Sequence, residues 1–442
     1  MSAQASEPLA VFLAGVLAGT ISHDRRGLRL DYDPHYAARS DTVPLSLSLP
    51  LGDTPHIGER VSGWLDGLLP ANENIRRRWA ARHGARSHGP FDLLSTPVGL
   101  DCAGAVQTCP QTDDAVLRER SGGVDWLAPD AFAELIDQLV RDQAWQRPEG
   151  RSAWSLAGAQ SKTTLVSRGD QWGEPWGGTP STHILKPSMR DMPGQALNEH
   201  LCLAAARHCG LAAARSDPLR VGDHLVVAVR RYDRVTGADG AVQRVHQEDL
   251  HQACGEPAAN IYQIDGEGHS VSRLARLIAD HSADPRTDRQ RFFDALAFNW
   301  LICNVDGHTK NYSLLLAPGG ARLAPLYDLW SRRPYDRAYI GAYTMAMSAL
   351  PDATIGAAHN PEAWQATARA VGLAPGDGPE RVAHLAALLP DAFAAAADQL
   401  PAHLRAEPIV ASLTADMTAR AADCADDLAQ PRPPRAREAP GL

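Results

Sequence analysis

The stretch Asn299-Trp300-Leu301-Ile302-Cys303-Asn304-Val305-Asp306-Gly307-His308-Thr309-Lys310-Asn311-Tyr312-Ser313-Leu314 changes character twice. An apolar segment of helical pattern runs into a polar loop carrying Asp306 and Asn311, and an apolar, strand-like run follows. Both side chains offer oxygen atoms, and a loop between two regular elements holds them on a rigid frame.

Asp306 and Asn311 stand in the D-x-x-x-x-N spacing of a kinase catalytic loop, where the Asp orients or deprotonates an acceptor hydroxyl and the Asn carboxamide holds magnesium. The same spacing also serves two turn caps. In Pro325-Leu326-Tyr327-Asp328-Leu329-Trp330-Ser331 a second carboxylate, Asp328, follows a short apolar segment. Magnesium is commonly held by one or two carboxylates plus phosphate oxygens, whereas a lone Asp there caps the next helix. Asp306, Asn311 and Asp328, in that order and at short range, favour the phosphoryl-transfer reading.

Upstream, Ser155-Leu156-Ala157-Gly158-Ala159-Gln160-Ser161-Lys162-Thr163 reads as a small-residue turn before a strand. Gly158, flanked by Ala157 and Ala159, lets backbone N–H groups approach phosphate oxygens; a plain hairpin turn is the other reading. It is no Walker A loop, because Ser161 stands where a glycine must precede the lysine. In His183-Ile184-Leu185-Lys186-Pro187 a lysine sits at the end of an apolar strand, where burial requires an anionic partner. Glu199, on the helix that follows, either pairs with Lys186 as in kinases or faces solvent. Arg230-Arg231-Tyr232-Asp233-Arg234 reads as part of a nucleotide cleft or as a surface cluster.

Around these motifs the chain reads as β-rich first and helical last. A hairpin is expected over Val11–Leu30, a strand over Val43–Pro50 from its period-2 alternation, and a helical insert near Ile75–Ala81. Asp130 is placed to cap a helix whose apolar face is Phe132, Leu135, Ile136, Leu139 and Val140. Strands follow at Thr163–Val166, His183–Leu185 and Leu225–Val229, with a helix over Gln195–His208. Beyond Gly255 helical faces dominate, at Val271–Ile278, Phe292–Ile302, Pro361–Val371, Val382–Leu389 and Val410–Leu428. The boundaries expected are 1–118, 119–255 and 256–430, with a disordered tail over 431–442.

Composition narrows the classes. The 442 residues are 44% apolar and 21% charged, as in an ordinary globular chain. Lys plus Arg total 43 against 52 Asp plus Glu, and this net −9 argues against a nucleic-acid-coating surface. Seven cysteines without a CxxC pair argue against a disulfide framework or structural zinc. The apolar run from Leu9 lacks a basic lead-in and reads as strand and turn, and no stretch is long enough to span a membrane, so a cytoplasmic location is expected.

Taken together the motifs resemble those of the HipA family of serine/threonine kinases, the toxin half of bacterial type II toxin–antitoxin systems. VPLSLSLPL at 43–51, LDGLLPANENIRRR at 65–78 and FDLLSTPVGLDCAGAV at 91–106 carry the resemblance in the first part. SLAGAQSKTTL at 155–165, THILKP at 182–187, NEHLCLAAARHCGL at 198–211, RRYDR at 230–234, HQEDLHQACG at 246–255, NWLICNVDGHTKNYSLLL at 299–316 and PLYDLWS at 325–331 carry it in the second. The resemblance implies an α+β, two-lobed protein-kinase-like fold with an extra β-rich N-terminal subdomain and an all-helical C-terminal lobe. It implies ATP and Mg²⁺ as cofactors, Asp306 as the catalytic residue, and Asn311 and Asp328 as metal ligands. Ala157, Gly158, Ala159, Gln160, Lys162, Lys186 and Glu199 would bind the nucleotide, and Ser155 matches an inhibitory autophosphorylation site. Ser161 departs from the family's frequent Glu. The implied partners are a HipB-like helix-turn-helix antitoxin, through which alone DNA is contacted, and a protein substrate of the aminoacyl-tRNA synthetase class. A non-catalytic co-repressor and a small-molecule kinase are the alternatives on the same fold.

Overall fold

The computed structural model describes residues 7–145, 151–158, 160–256, 270–349, 353–355 and 360–429; the expected tail over 431–442 and Ala159 lie outside the described residues. The first sheet is antiparallel, with strands β1 (Leu9–Leu13), β2 (Val16–Asp24), β3 (Gly27–Tyr32), β4 (His56–Ile57) and β5 (Val106–Pro110) in the order β4-β3-β2-β1-β5. β1 is buried along its whole length. Leu9, Val11 and Leu13 face a core with Ile21, Leu30, Trp64 and Trp79, while Ala10 and Phe12 face Cys109 and Leu117. A strand covered on both faces reads as a continuous apolar run rather than an alternating one.

The second sheet runs β10-β11-β9-β7-β8-β6 and is built from β6 (Gly122–Trp126), β7 (Thr163–Arg168), β8 (Gln171–Gly177), β9 (His183–Pro187), β10 (Ser216–Val221) and β11 (His224–Arg230). β9 lies between β7 and β11, with Lys186 opposite Val227. Alternation puts Leu185, Val226 and Ala228 against Leu135, Ile136 and Leu139 of the Pro129–Arg141 helix. Val227 and Val229 point the other way, into the large helical core. That helix begins two residues earlier than its carboxylate suggests. Pro129 occupies the first turn and Ala128 the cap position, so Asp130 is an acidic first-turn residue and not the N-cap.

A two-stranded ribbon follows, β12 (Arg234–Thr236) with β13 (Val242–Arg244). Helices dominate the rest, as expected, with one addition. β14 (Gln247–Asp249), β15 (Ser313–Ala317) and β16 (Gly320–Leu323) form a small antiparallel sheet, so the C-terminal lobe is not purely helical. The Gln195–His208 helix has the bounds read from sequence. It is buried on every side from Gln195 to Ala206, because the second sheet covers one flank and the Asp377–Asp398 and Pro408–Ala429 helices cover the others.

Two polar junctions bind the first part to the rest. Arg231 donates to Asp233 through Nε (2.9 Å) and Nη2 (2.8 Å), to Ser181 Oγ (3.0 Å) and to the Cys102 carbonyl (2.8 Å). Arg234 reaches Asp101 Oδ1 at 3.0 Å and the Gly104 carbonyl at 2.7 Å, and Arg244 lies 3.3 Å from the same carboxylate. Asp101, Asp233 and the three guanidinium groups are all removed from solvent. The RRYDR motif is therefore neither a cleft wall nor a surface cluster. It is an interior lock through Arg231 and Arg234, which meet Asp101 and carbonyls of the first part, while Arg230 is exposed.

The second junction is the 43–50 stretch, which is not a strand. Only a bridge between Ser46 and Leu49 is present, since Pro44 and Pro50 lack N–H donors and the serines turn inward. Ser48 Oγ donates to the Gln252 carbonyl at 3.0 Å and the Leu47 N–H donates to Glu248 Oε1 at 2.8 Å. Glu248, on β14, is 1% exposed. Burial pushes its carboxyl up from near 4.5 to about 8, so it is mainly neutral at pH 7. A pKa raised by folding gives stability that is complete below the unfolded value and is lost as pH rises through the folded one. Glu248→Gln, which mimics the neutral acid, should therefore flatten the fall in Tm between pH 5 and 9. Thermal unfolding of both proteins across that range checks it, and parallel curves would contradict the assignment.

Candidate active site

The alternation of β9 turns Lys186 away from Leu185 and toward the helical lobe, where it is 7% exposed. Its ammonium meets Glu199 Oε1 at 2.8 Å and Asp328 Oδ1 at 2.7 Å. Glu199, fully buried on the Gln195–His208 helix, is the partner that the kinase-like pairing requires, and its solvent-facing reading is excluded. Burial opposes the charge on Lys186, but the two carboxylates outweigh it and hold the ammonium above its ordinary range. The same burial leaves the Glu199 carboxyl raised despite Lys186. Asp328 goes the other way. Its burial is overcome by Lys186 and Lys162, which keep it below the usual carboxylate range.

Lys162 completes the cluster. Its Nζ donates to the Ala157 carbonyl at 2.6 Å, so the lysine folds back across the turn it follows. Burial, assisted by the charge of Lys186, brings its pKa down to about 8. Gly158 sits at φ +104°, a backbone conformation strained for any residue with a Cβ, and a Cβ there would displace the Lys162 ammonium. Gln160 ties the turn to the sheet through Nε2, at 3.2 Å from the Pro187 carbonyl and 2.8 Å from Gln195 Oε1. Ala157, Gly158, Gln160 and Lys162 thus form one backbone-rich turn beside Lys186.

Ser155 does not lie at the mouth of that turn. It is 0% exposed, its N–H donates to the Asp101 carbonyl at 2.9 Å and its hydroxyl to the Leu68 carbonyl at 2.6 Å. The cause is local. Ala153, Trp154 and Leu156 pack into the core of the first part, with Trp154 edge-on to Trp79 at 5.1 Å, and Ser155 is carried in with them.

The catalytic-loop candidate begins where the Pro285–Leu301 helix ends. Asn304 closes on Asn299 through both backbone (2.8 Å) and side chain (2.9 Å), and Asn299 Nδ2 donates to the Tyr312 hydroxyl at 2.8 Å. Asn311 Nδ2 donates to the Asp306 carbonyl at 2.8 Å, which leaves Oδ1 as the atom able to hold a cation. The Asp306 carbonyl also accepts from the His308 N–H at 2.7 Å. Burial lowers the pKa of His308 against the pull of both Asp306 and Asp328, so the two carboxylates act on one imidazole.

Asp328 adopts φ +56°, a conformation that strains a residue with a Cβ and that is common at functional sites. An amide bracket maintains it. Asn198 Nδ2 donates to the Ser331 carbonyl and Asn198 Oδ1 accepts from the Ser331 N–H, both at 2.8 Å. This bracket, one residue before Glu199, was not singled out from sequence; an Asn on the buried face of a helix was the available signal.

Among the described residues no three His, Cys, Asp or Glu side chains gather into a metal cluster. The Asp328 carboxylate and the Asn311 amide oxygen are hard donors suited to Mg²⁺, which takes its remaining ligands from phosphate and water. Gly158 supplies the close backbone approach that a phosphate needs.

Comparisons with known proteins agree with this architecture. Residues 9–109 match the HipA N-terminal domain family and residues 154–398 the HipA-like C-terminal domain family. The candidate kinase Y4mE of Sinorhizobium fredii is 35% identical over 333 residues, covering 74% of this chain and 78% of that protein. The serine/threonine-protein kinase toxin HipA of Shewanella oneidensis is 28% identical over 352 residues, covering 76% of this chain and 78% of that protein. The solved complex of Shewanella oneidensis HipA with HipB and operator DNA superposes at a TM-score of 0.80 and 25% identity, covering 95% of this chain and 97% of the other. Two family matches that between them hold both the first sheet and the Lys186 cluster, with an α+β, kinase-like fold and a β-rich N-terminal part, mean that this chain belongs to the HipA family.

Proposed function

We propose that this chain is an ATP- and Mg²⁺-dependent protein serine/threonine kinase that acts as the toxin of a toxin–antitoxin pair. The observation that carries the proposal is the contact of buried Lys186 with buried Glu199 and with Asp328, whose side chain is 35% exposed, beside the Gly158 turn. A lysine with one permanent acidic partner and one exchangeable one is poised for phosphate: Glu199 fixes the ammonium, and a phosphate oxygen takes the place of Asp328. Asp328 and Asn311 would hold the magnesium, which would neutralise phosphate charge. Asp306 accepts or orients the acceptor hydroxyl proton, and catalysis rests on positioning and electrostatics. A non-catalytic scaffold has no physical need for a strained Asp328 and a desolvated lysine with two acids around it.

The partners follow from relatives and charge. The Shewanella HipA structure contains HipB and operator DNA. A chain of net charge −9 is suited to leave phosphate contacts to a helix-turn-helix antitoxin. The substrate class that the resemblance implies is an aminoacyl-tRNA synthetase, and toxicity would come from its phosphorylation. Among the described residues no helix is long and apolar enough to cross a membrane.

Regulation by Ser155 takes a different form from competition at the cleft. Its hydroxyl occupies a dry site between Leu68 and Asp101, where a phosphate of about −1.5 to −2 charge has no place. Phosphorylation therefore requires the 153–158 segment to leave that site, and it prevents the return, which dismantles the Gly158 turn.

Two outcomes follow. Asp306→Ala should lower phosphoryl transfer by about 10²–10⁴ while thermal unfolding stays near wild type, since general-base and positioning groups are typically worth that much. Wild-type turnover in the folded variant would refute the role. Phosphosite mapping of active protein should find Ser155 modified, and the modified fraction should bind Mg·ATP weakly and show raised proteolysis near residues 151–158. An unmodified Ser155, or a modified form that binds ATP normally, would remove the switch.

A further inference from the structure

After Asp328 the chain swings away from the Lys186 cluster and comes back to the loop that carries Asp306. The Arg332 N–H donates to the Cys303 carbonyl at 3.1 Å, and the Ala346 N–H donates to the Val305 carbonyl at 3.0 Å. Both ends of the 332–346 segment are thus hung on the backbone beside Asp306. Its middle stands off toward solvent, with Tyr339 71% exposed. An internal bracket shapes it: Asp336 Oδ2 accepts from Arg332 Nε at 2.5 Å and from the Tyr343 hydroxyl at 3.0 Å.

The segment is anchored from outside chiefly by one carboxylate, with Tyr335 also donating to the Pro193 carbonyl at 3.3 Å. Asp416, on the Pro408–Ala429 helix, accepts from Arg337 in bidentate fashion, Nε to Oδ1 at 2.7 Å and Nη2 to Oδ2 at 3.0 Å. Arg337 Nη2 also donates to Ser412 Oγ at 2.9 Å. Arg333 lies 3.6 Å from Asp416 and 3.8 Å from Asp423. The helix beneath is fixed in the core by Val410, Leu413, Met417 and Ala421, and Asp416 itself is 6% exposed. A fixed anion that gathers arginines from a loop is the arrangement by which phosphorylation orders loops. Here a side chain of the protein supplies the anion.

We propose that Asp416 is a positioning residue which, through Arg337 and Arg333, holds the 332–346 segment beside Asp306 as the surface that receives the protein acceptor, with no phosphorylation of the segment required. This rests on the kinase reading above. Asp416 stands apart from the nucleotide groups, so its loss should be felt by a protein acceptor and not by ATP.

The test uses the full chain as wild type, Asp416→Asn, Asp416→Glu and Arg337→Gln; the last changes a side chain that is 57% exposed and therefore leaves folding intact. Three quantities are read: Mg·ATP affinity by calorimetry, phosphate transfer to casein relative to ATP hydrolysis by water, and amide exchange over 332–346. Asp416→Asn and Arg337→Gln should each lower the casein-to-water ratio about tenfold, the size of one charge-assisted bidentate contact, and leave Mg·ATP affinity within about twofold. Both should speed exchange over 332–346, and Asp416→Glu should restore part of each effect. Equal loss of transfer and hydrolysis, or unchanged exchange in both variants, would overturn the proposal. A wild type that neither binds Mg·ATP nor transfers phosphate would defeat the kinase reading, while the exchange result would still decide whether Asp416 orders the segment.

Discussion

A lysine ammonium removed from water must be met by carboxylates, and the arrangement of this protein follows from how it meets them at Lys186. A lone buried charge is far more unfavourable than a well-paired one. Its two acids come from different elements, Glu199 from the next helix, enclosed by the helical lobe, and Asp328 from the loop after β16, 142 residues on. Strand, helix and loop are therefore brought together by one charge. The charges balance, since the two carboxylates face Lys186 and Lys162 adds a second positive charge nearby. The Glu199 contact is what would keep Lys186 paired were Asp328 exchanged.

The β-rich first part is built into this site and does not merely precede it. Asp101 and the carbonyls of Cys102 and Gly104 receive the arginines that follow β11, the strand beside β9. Leu47 and the serines around it hold Glu248 and Gln252. Glu248 pairs in register with Leu314, and the Leu250 N–H donates to the Tyr312 carbonyl, next to Asn311. These hydrogen bonds lead from the first part to the candidate catalytic loop. Breaking a buried pair such as Arg231–Asp101 typically costs about 3–5 kcal/mol. Ser155 uses the same contact surface, three residues before Gly158.

Much of this was legible in the sequence where one residue type has one physical use. The Gln195–His208 helix, Lys186 at a strand end and the Asp306, Asn311 and Asp328 order were read from pattern and spacing, and the structure brings Lys186, Glu199 and Asp328 into contact. Where a pattern has two physical uses, sequence chose wrongly. The alternation in 43–50 describes serines that bond to Gln252 and not a solvent face, and Asp130 had a proline beside it to take the first turn. RRYDR and Ser155 were misplaced for one shared reason. Apart from Asp233 inside the motif, their partners lie fifty or more residues away, and no local window contains them. The Asn198 bracket and the Asp416 anchor depend in the same way on contacts between remote segments.

The central claim is that Lys186, with Glu199 as its fixed partner, is a phosphate-binding lysine whose second partner, Asp328, is released to a metal ion. A crystal structure of the full chain with Mg²⁺ and a non-hydrolysable ATP analogue tests it most directly. The account predicts a phosphate oxygen on Lys186 Nζ with the Glu199 contact retained, Mg²⁺ between Asp328 and Asn311 Oδ1, and the terminal phosphate facing Asp306. Nucleotide bound elsewhere, with Lys186 still bridging Glu199 and Asp328, would contradict it.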